Sequence, residues 1–160
     1  MQLTTPSLLA IATGVVGSAW SSGAIASISL VGVPGALLAS SSASTVWAEF
    51  FARGISIMPK LAATTAAGYL YAAYDARERG ANWKGFVAGA ALTVAIVPYT
   101  QIFMSGTNAL LHAAAHGTSG ASLDEVKALV GKWASLNLVR SFFPLAGAAA
   151  GLATLFQNIL

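Results

Sequence analysis

Charged residues in this chain are confined to short segments that separate long apolar tracts. Asp, Glu, Lys and Arg are absent from Met1 to Ala48, from Gly85 to Leu123 and from Ser141 to Leu160. A bilayer core about 30 Å thick requires roughly 20 apolar residues in a helix, so each tract is long enough to cross it. The pattern therefore predicts an all-α integral membrane protein.

The breaks between apolar segments predict a four-helix bundle. Pro34-Gly35 is expected to end the first helix, and Asp75 to Gly80 to form a surface turn after the second. The first tract is longer than the apolar part of a signal peptide and lacks its basic flank, so we expect a retained helix. We predict one transmembrane domain, 1–160, with spans at about 6–33, 54–74, 85–104 and 134–158.

Short interfacial helices are predicted in the first and third connections. Trp47 has a ring suited to the membrane interface, and Ser44 or Thr45 is expected to cap the helix that carries it. Ser122 and Glu125 have the spacing of a capping box, which indicates the start of a helix before the last apolar tract.

Small residues at helical spacing predict close packing between helices. Gly85 and Gly89 form one pair four residues apart, and Gly147 and Gly151 form another. Because lipid is as apolar as a hydrocarbon side chain, close van der Waals contact at small residues drives helix association in membranes. The same faces also allow a homo-oligomer.

Composition supports a membrane protein and excludes several classes of function. Of the 160 residues, 56% are hydrophobic and only 8% are charged, which is too apolar for a soluble domain of this size. The absence of cysteine excludes disulfides, thiolate metal sites and iron–sulfur clusters. The net charge of +3 includes no basic run, so the expected partner is the bilayer and not nucleic acid. We expect a multi-pass membrane location, and the sequence does not specify the organelle.

Arg140 is the most informative charge, because it lies inside the last apolar tract and no acidic residue follows it. Charge at such a position is costly in a membrane and indicates a functional site. Helical spacing places Trp133, Asn137, Arg140 and Pro144 on one stripe. We therefore expect the guanidinium to face the bundle and to hold a phenolate, enolate or carbonyl oxygen. The alternatives are that it reaches the interface or caps carbonyl groups of neighbouring helices.

A second polar cluster follows Pro98, which cannot donate a helical hydrogen bond and is expected to kink the third span. Thr100, Met104 and Asn108 share a face if the helix continues. Alternatively, each of these polar residues could serve only to form hydrogen bonds between helices. The cluster contains Tyr99, Thr100, Gln101, Ser105, Thr107 and Asn108.

His112 and His116 form an i,i+4 pair, a spacing that can chelate a metal on one helix face. Asp124 or Glu125 could complete such a site. A neutral imidazole could instead act as a general base near neutral pH, which needs only one of the two residues. A solvated interfacial helix is a third explanation of the same pattern.

The polar residues of the second half of the chain resemble a known family, the anthrone oxygenase-like membrane proteins of the DUF1772 group. The resemblance is most specific at Thr107-Asn108 and at the W-x3-N-x2-R pattern of Trp133, Asn137 and Arg140, and it extends over most of the chain. Ser105-Gly106 departs from the family pattern, in which a proline is expected immediately before the threonine.

The resemblance implies a membrane-embedded enzyme of fungal or bacterial polyketide tailoring that oxidises an anthrone to an anthraquinone with O2. It also implies no flavin, haem or added metal, so that O2 is the only co-substrate. The sequence agrees in that it contains no cysteine ligand and no dinucleotide-binding fingerprint.

A mechanism for such an enzyme assigns roles to these residues. Removing the acidic C–H proton of an anthrone gives an electron-rich anion that can reduce O2, so the protein must supply an apolar pocket, a base and donors to the oxyanion. We expect Arg140, Asn137 and Asn108 to stabilise the oxyanion. His112 or His116 is expected to act as the base. The residues expected to contact the substrate are Trp133, Tyr99, Trp20, Thr107, Thr100 and Met104.

Two other functions are compatible with the sequence. One is a non-enzymatic membrane carrier or assembly subunit, in which the polar stripe only holds the helices together. The other is a metal-dependent membrane oxidase that uses His112, His116 and a carboxylate.

Overall fold

The computed structural model describes residues 4–160, with the side chain of Ser40 left out, and it consists of four long helices. No strand occurs among the described residues, so the all-α prediction is confirmed. A single 3₁₀ turn, Ser40–Ser42, precedes the second helix. The helices are α1 (Thr5–Leu38), α2 (Ala43–Glu78), α3 (Lys84–Ala115) and α4 (Leu123–Ile159).

The helices form an up-and-down bundle in which each packs against its neighbours in sequence and α4 packs against α1. Within residues 4–160, three helices are long and apolar enough to cross a membrane: α1, α3 and α4. Helix α2 is equally long but carries Glu49, Arg53 and Lys60, so its composition is less apolar. The bundle therefore has the character of a membrane protein.

The helices extend further than the sequence predicted. The segments predicted as separate interfacial helices are the first turns of α2 and α4, because no residue after them breaks the helix. Helix α2 begins at Ala43, so neither Ser44 nor Thr45 caps it. The capping box is confirmed, since Ser122 Oγ accepts a hydrogen bond from Glu125 N at 3.3 Å and Ser122 N donates to Glu125 Oε2 at 2.7 Å.

Two π-helical turns interrupt α1 and α3. The first, Ile28–Gly32, allows α1 to continue through Pro34, which was expected to end it. Pro34 falls at the start of the next α-helical segment, where a missing N–H removes no helical hydrogen bond. In α3, regular α-helix stops at Ala95, consistent with the irregularity expected at Pro98, and the second π turn follows at Thr100–Met104.

Tyr69 of α2 occupies a socket of glycines contributed by the three other helices. Its side chain is 0% exposed, and its hydroxyl donates to the carbonyl of Gly147 at 2.9 Å. A Cβ atom would lie 2.5 Å from the ring at Gly14, 2.9 Å at Gly89 and 2.5 Å at Gly151. A Cβ would likewise crowd Thr154 Oγ1 at Gly85 and the Gly89 carbonyl at Gly147, so both predicted glycine pairs are packing positions between α3 and α4.

Replacing Gly151 by alanine is expected to destabilise the bundle by about 1–3 kcal/mol, because the new methyl group overlaps a ring that cannot move away. The measurement is thermal or denaturant unfolding of the purified protein. Gly23→Ala is the matched control, since a Cβ at Gly23 meets no atom within 4 Å. Equal stability of the two variants would show that the socket is not tightly packed.

A polar contact joins the start of α1 to the end of α2. The hydroxyl of Ser7 donates to Asp75, and Arg79 pairs with the same carboxylate at 2.8 Å. The hydrogen bond from Ser7 and the Arg79 guanidinium hold the pKa of the Asp75 carboxyl below its ordinary value. The ion pair is therefore retained at mildly acidic pH, where an ordinary carboxyl would begin to protonate.

Candidate active site

A cavity of about 160 Å³ lies in the middle of the bundle, between two ends that are packed by different residues. Towards one end the helices pack around Tyr69, and towards the other they pack around Trp47 and Trp133, with the small group Ile25, Ala62 and Ile96 between. All four helices contribute to the wall. The lining residues are Ala24, Ile25, Ile28, Phe50, Phe51, Gly54, Ile55, Met58, Pro59, Ile96, Val97, Thr100, Gln101, Trp133 and Arg140.

The cavity lies between an end of the bundle packed at glycines around Tyr69 and an end packed at the bulky rings of Trp47 and Trp133. Gly54 of α2 lines the cavity, and a Cβ there would meet no atom within 4 Å. The lack of a side chain at this position contributes directly to the open volume.

The cavity opens towards the outer surface between α2 and α3. Ile55, Val97 and Gln101 line it and are also exposed on the outside of the bundle. Exposed apolar side chains surround this opening, so an apolar molecule can approach the cavity laterally from this side of the bundle.

Among the described residues that line the cavity, Arg140 is the only one with an ionisable side chain, and it is held by a chain of hydrogen bonds. Its Nη1 donates to Thr100 Oγ1 at 2.8 Å and its Nη2 donates to Asn137 Oδ1 at 2.6 Å. The Asn137 amide then donates to the Ile25 carbonyl at 2.9 Å and to Ser29 Oγ at 2.8 Å. The guanidinium therefore faces the bundle, as predicted, and does not reach the interface.

The same chain connects the two π turns. Ser29 lies in the π turn of α1, and Thr100 begins the π turn of α3. The Thr100 hydroxyl also donates to the Ile96 carbonyl at 2.7 Å, so its free lone pair is directed to Arg140. Because π turns frequently occur at functional sites, their position beside the cavity supports a functional role for this network.

In the part of the chain that the structure describes, two cavity-lining residues each have a buried N–H group without a partner. Across residues 4–160, no acidic side chain pairs with Arg140, and its Nε forms no hydrogen bond. The indole Nε1 of Trp133 is likewise buried without a partner in the described chain. Both nitrogen atoms are enclosed by protein, so neither is exposed to the open volume of the cavity.

Aromatic rings separate the histidines from the cavity. His112 contacts Trp47 and Phe51, each at a centroid distance of 4.9 Å, and Trp47 contacts Trp133 at 6.0 Å. Phe51 and Trp133 line the cavity, but neither His112 nor His116 does. The structure therefore places neither predicted base at the cavity.

The metal site considered as an alternative for His112 and His116 is not assembled in the described residues. His112 and His116 are near each other, with ring centroids 6.4 Å apart. However, the described residues contain no group of three or more His, Cys, Asp or Glu side chains that could hold a metal ion. Asp124 and Glu125 are therefore not brought to the histidines, because they begin α4 and Glu125 is engaged in the capping box.

Other predicted substrate contacts lie outside the cavity. Trp20 is 55% exposed on the outer face of α1, and Tyr99 packs between Phe103 and Phe143 at 4.9 and 5.2 Å. Met104 is buried among the rings around Trp47. Thr107 and Asn108 are buried one turn further along α3, and none of these residues lines the cavity.

Sequence analysis did not identify the contribution of α2 to the site. Phe50, Phe51, Gly54, Met58 and Pro59 form much of the wall. These side chains carry no acid, base or ligand, so no chemical motif marks them. The available signal was Gly54 followed by Pro59 within one helix. Glycine leaves space beside the backbone, and proline makes the helix irregular.

Comparison with known proteins identifies relatives of this chain. The sequence profile described as anthrone oxygenase matches residues 47–150. The monooxygenase hypC of Dothistroma septosporum is 39% identical over 137 residues, covering 82% of this chain and 74% of the relative. The anthrone oxygenase tpcL of Aspergillus fumigatus is 33% identical over 150 residues, covering 92% of this chain and 93% of the relative. The noranthrone monooxygenase of Aspergillus flavus is 42% identical over 110 residues, covering 66% of this chain and 52% of the relative.

No solved structure matches the chain at a significant level. The chain thus belongs to the anthrone oxygenase family.

Proposed function

We propose that this protein is a monooxygenase that converts an anthrone to an anthraquinone with O2 inside the membrane. The observation that carries the proposal is the unneutralised guanidinium of Arg140, fixed by Thr100 and Asn137 beside an apolar cavity. The names of three relatives, which describe monooxygenases of anthrones or of unstated substrate, support the same reaction class.

The cavity has room for one ring of a planar substrate. A dry cavity of about 150 Å³ holds benzene, and the cavity of about 160 Å³ observed here is similar. A three-ring anthrone therefore places one ring inside and extends the other two towards the opening between α2 and α3. The substrate is dissolved in the bilayer, so it reaches the site without leaving an apolar environment.

The first chemical step is ionisation of the substrate. Loss of one methylene proton gives an anion whose charge rests on the oxygen of the opposite ring carbon. Arg140 stabilises this oxygen by charge and by a directed N–H group, and the low dielectric of the cavity strengthens the attraction. Asn137 and Thr100 position the guanidinium, so they act through Arg140 and do not contact the substrate.

The anion then reacts with O2. It transfers one electron to O2, and the resulting radical and superoxide combine at the former methylene carbon and take up a proton as a hydroperoxide. Loss of the remaining C–H proton, with cleavage of the O–O bond, forms the second carbonyl and releases hydroxide. In balance, the carbon loses two hydrogens and gains one oxygen of O2, and the other oxygen leaves as water.

We propose that water at the opening accepts the first proton, because no carboxylate or imidazole of the described chain lines the cavity. Gln101 is the polar side chain exposed at this opening. Stabilisation of the anion by Arg140 makes a weak base sufficient, since it shifts the ionisation equilibrium towards the anion. The role of general base that the sequence suggested for His112 or His116 is not required.

We further propose that all four helices, including α2, cross the bilayer and that O2 is the only co-substrate. An electron-rich anion can reduce O2 directly, so the mechanism needs no flavin, haem or metal. Elemental analysis and resistance to chelators test this part of the proposal, because a metal-dependent oxidase would lose turnover when its metal is removed.

The proposal is tested by aerobic conversion of an anthrone by the purified protein in lipid nanodiscs, followed by anthraquinone absorbance. The expected rate exceeds the spontaneous oxidation measured with empty nanodiscs, and water and anthraquinone form in equal amounts. A rate equal to the spontaneous rate would refute the enzymatic role and favour a membrane carrier.

A further inference from the structure

We propose that Gln101 is a specificity-determining residue whose side-chain amide binds a hydroxyl group on the outer ring of the substrate. This inference rests on the proposed function, in which one ring of an anthrone lies inside the cavity and the other two extend towards the opening. It gives Gln101 a role in the choice among anthrones, which is separate from the role of Arg140 in the reaction.

Gln101 is the polar lining residue whose side chain remains available to the substrate besides Arg140. In the described chain, the lining side chains that carry a nitrogen or an oxygen are those of Thr100, Gln101, Trp133 and Arg140. The Thr100 hydroxyl donates to the Ile96 carbonyl at 2.7 Å and accepts from Arg140 at 2.8 Å. The indole nitrogen of Trp133 is enclosed by protein. A second polar contact with the substrate therefore falls to Gln101.

The side chain of Gln101 is exposed at the opening and has no hydrogen-bond partner among the described residues. It continues the stripe of α3 that carries Val94 and Val97, since residues three or four apart share a helix face. Both valines are exposed, as is Ile55 of α2, which also lines the opening. The amide is therefore a polar group placed beside apolar side chains at the entrance to the cavity.

An unpaired amide at this entrance favours a substrate that supplies its hydrogen bonds. A substrate ring that fills the opening displaces water from the amide, and an amide left without a partner in apolar surroundings is costly. The amide oxygen accepts and the amide NH2 group donates, and a phenolic hydroxyl can likewise do both. A hydroxylated ring thus pairs with Gln101, whereas a hydrocarbon ring leaves it unpaired.

The interior of the cavity determines which ring enters. Ile25 and Ile96 are buried, line the cavity and have side chains without polar atoms. A hydroxylated ring beside them would lose its hydrogen bonds to water without replacement. The ring without a hydroxyl group therefore enters, and the hydroxylated ring stays at the opening beside Gln101.

The test compares the turnover of two anthrones by the protein in lipid nanodiscs. One is unsubstituted anthrone, and the other has one hydroxyl group on an outer ring, away from the central carbonyl so that it does not bond to that oxygen. Gln101→Leu is expected to raise KM for the hydroxylated anthrone about tenfold and to leave kcat unchanged, because the lost hydrogen bond is the same before and during the reaction. Both constants for unsubstituted anthrone should stay unchanged.

The matched control is Gln157→Leu, which removes the same amide outside the cavity lining. Gln157 lies near the end of α4, where its side-chain oxygen accepts from Asn82 Nδ2 at 2.6 Å. This change is expected to alter KM for neither anthrone. Each variant is compared with the wild-type protein on the same substrate, so the different intrinsic reactivities of the two anthrones cancel.

Two results would overturn the inference. Equal increases in KM for both anthrones would mean that Gln101 only shapes the opening, and an unchanged KM for the hydroxylated anthrone would mean that the amide is not used. If Gln101→Leu does not fold, anaerobic binding to the wild-type protein decides, and equal affinities for the two anthrones, corrected for partition into empty nanodiscs, would refute the inference.

Failure of the proposed function gives a different result. The wild-type protein would then oxidise neither anthrone faster than empty nanodiscs do. Anaerobic binding still tests the amide in that case: a preference for the hydroxylated anthrone that Gln101→Leu abolishes would support its binding role, and no preference would refute it.

Discussion

Replacing Arg140 by alanine is expected to reduce turnover of an anthrone by about 10²–10³-fold, because it removes the charged donor that stabilises the oxyanion. Assembly should be retained, since an intramembrane charge is costly and its removal does not expose a partner carboxylate. Arg140→Lys is expected to be impaired as well, because an ammonium group cannot bond Thr100 and Asn137 and still present a directed donor. Rates of anthraquinone formation and unfolding curves measure the two effects separately.

Arg53→Gln provides the matched control. Arg53 is 77% exposed and pairs with Glu49 at 3.6 Å, so this change removes the same charge without touching the cavity lining. Its turnover should equal that of the wild-type protein. Full activity of Arg140→Ala would exclude the guanidinium from the mechanism.

Replacing Gly54 by phenylalanine is expected to reduce kcat/KM by at least about 10²-fold, because the new ring occupies the space meant for the substrate. A cavity of about 150 Å³ is filled by benzene, so one phenyl group suffices to fill the cavity of about 160 Å³. Displacement of a substrate by even about 1 Å can cost 10²-fold in rate. The fold should be preserved, since a Cβ at this position meets open space.

The control for this variant is Gly23→Phe, which introduces the same ring at an exposed position of α1 with equally open surroundings. Anthrone oxidation and unfolding of both variants should be measured in parallel. Wild-type activity of Gly54→Phe would show that the substrate binds elsewhere. Loss of activity in Gly23→Phe as well would attribute the effect to the bulk of the ring alone.

The sequence predicted the features that depend on local spacing. Trp133, Asn137, Pro144, Gly147 and Gly151 lie on one buried stripe of α4 because residues three or four apart share a helix face. Arg140 lies on the same stripe, and its inward orientation followed from that spacing. The capping box at Ser122 was identified for the same reason, since its geometry involves only neighbouring residues.

Features that depend on tertiary contacts were not predictable in the same way. In a membrane protein the lipid-facing surface is as apolar as the core, so hydrophobicity does not show which face is buried. Trp20 was therefore assigned to the site although it lies outside, and Phe51 and Gly54 were not recognised. The π turn at Thr100–Met104 alters the helical register, which is one reason that Thr100 lines the cavity and Asn108 does not.

The central claim, that Arg140 holds the ionised substrate in the cavity, is tested most directly by the absorbance spectrum of anthrone bound to the protein without O2 near neutral pH. The wild-type protein is expected to show the spectrum that anthrone has in alkali, which is that of the anion, and Arg140→Ala is expected to show the spectrum of neutral anthrone. A neutral-anthrone spectrum on saturated wild-type protein would contradict the claim.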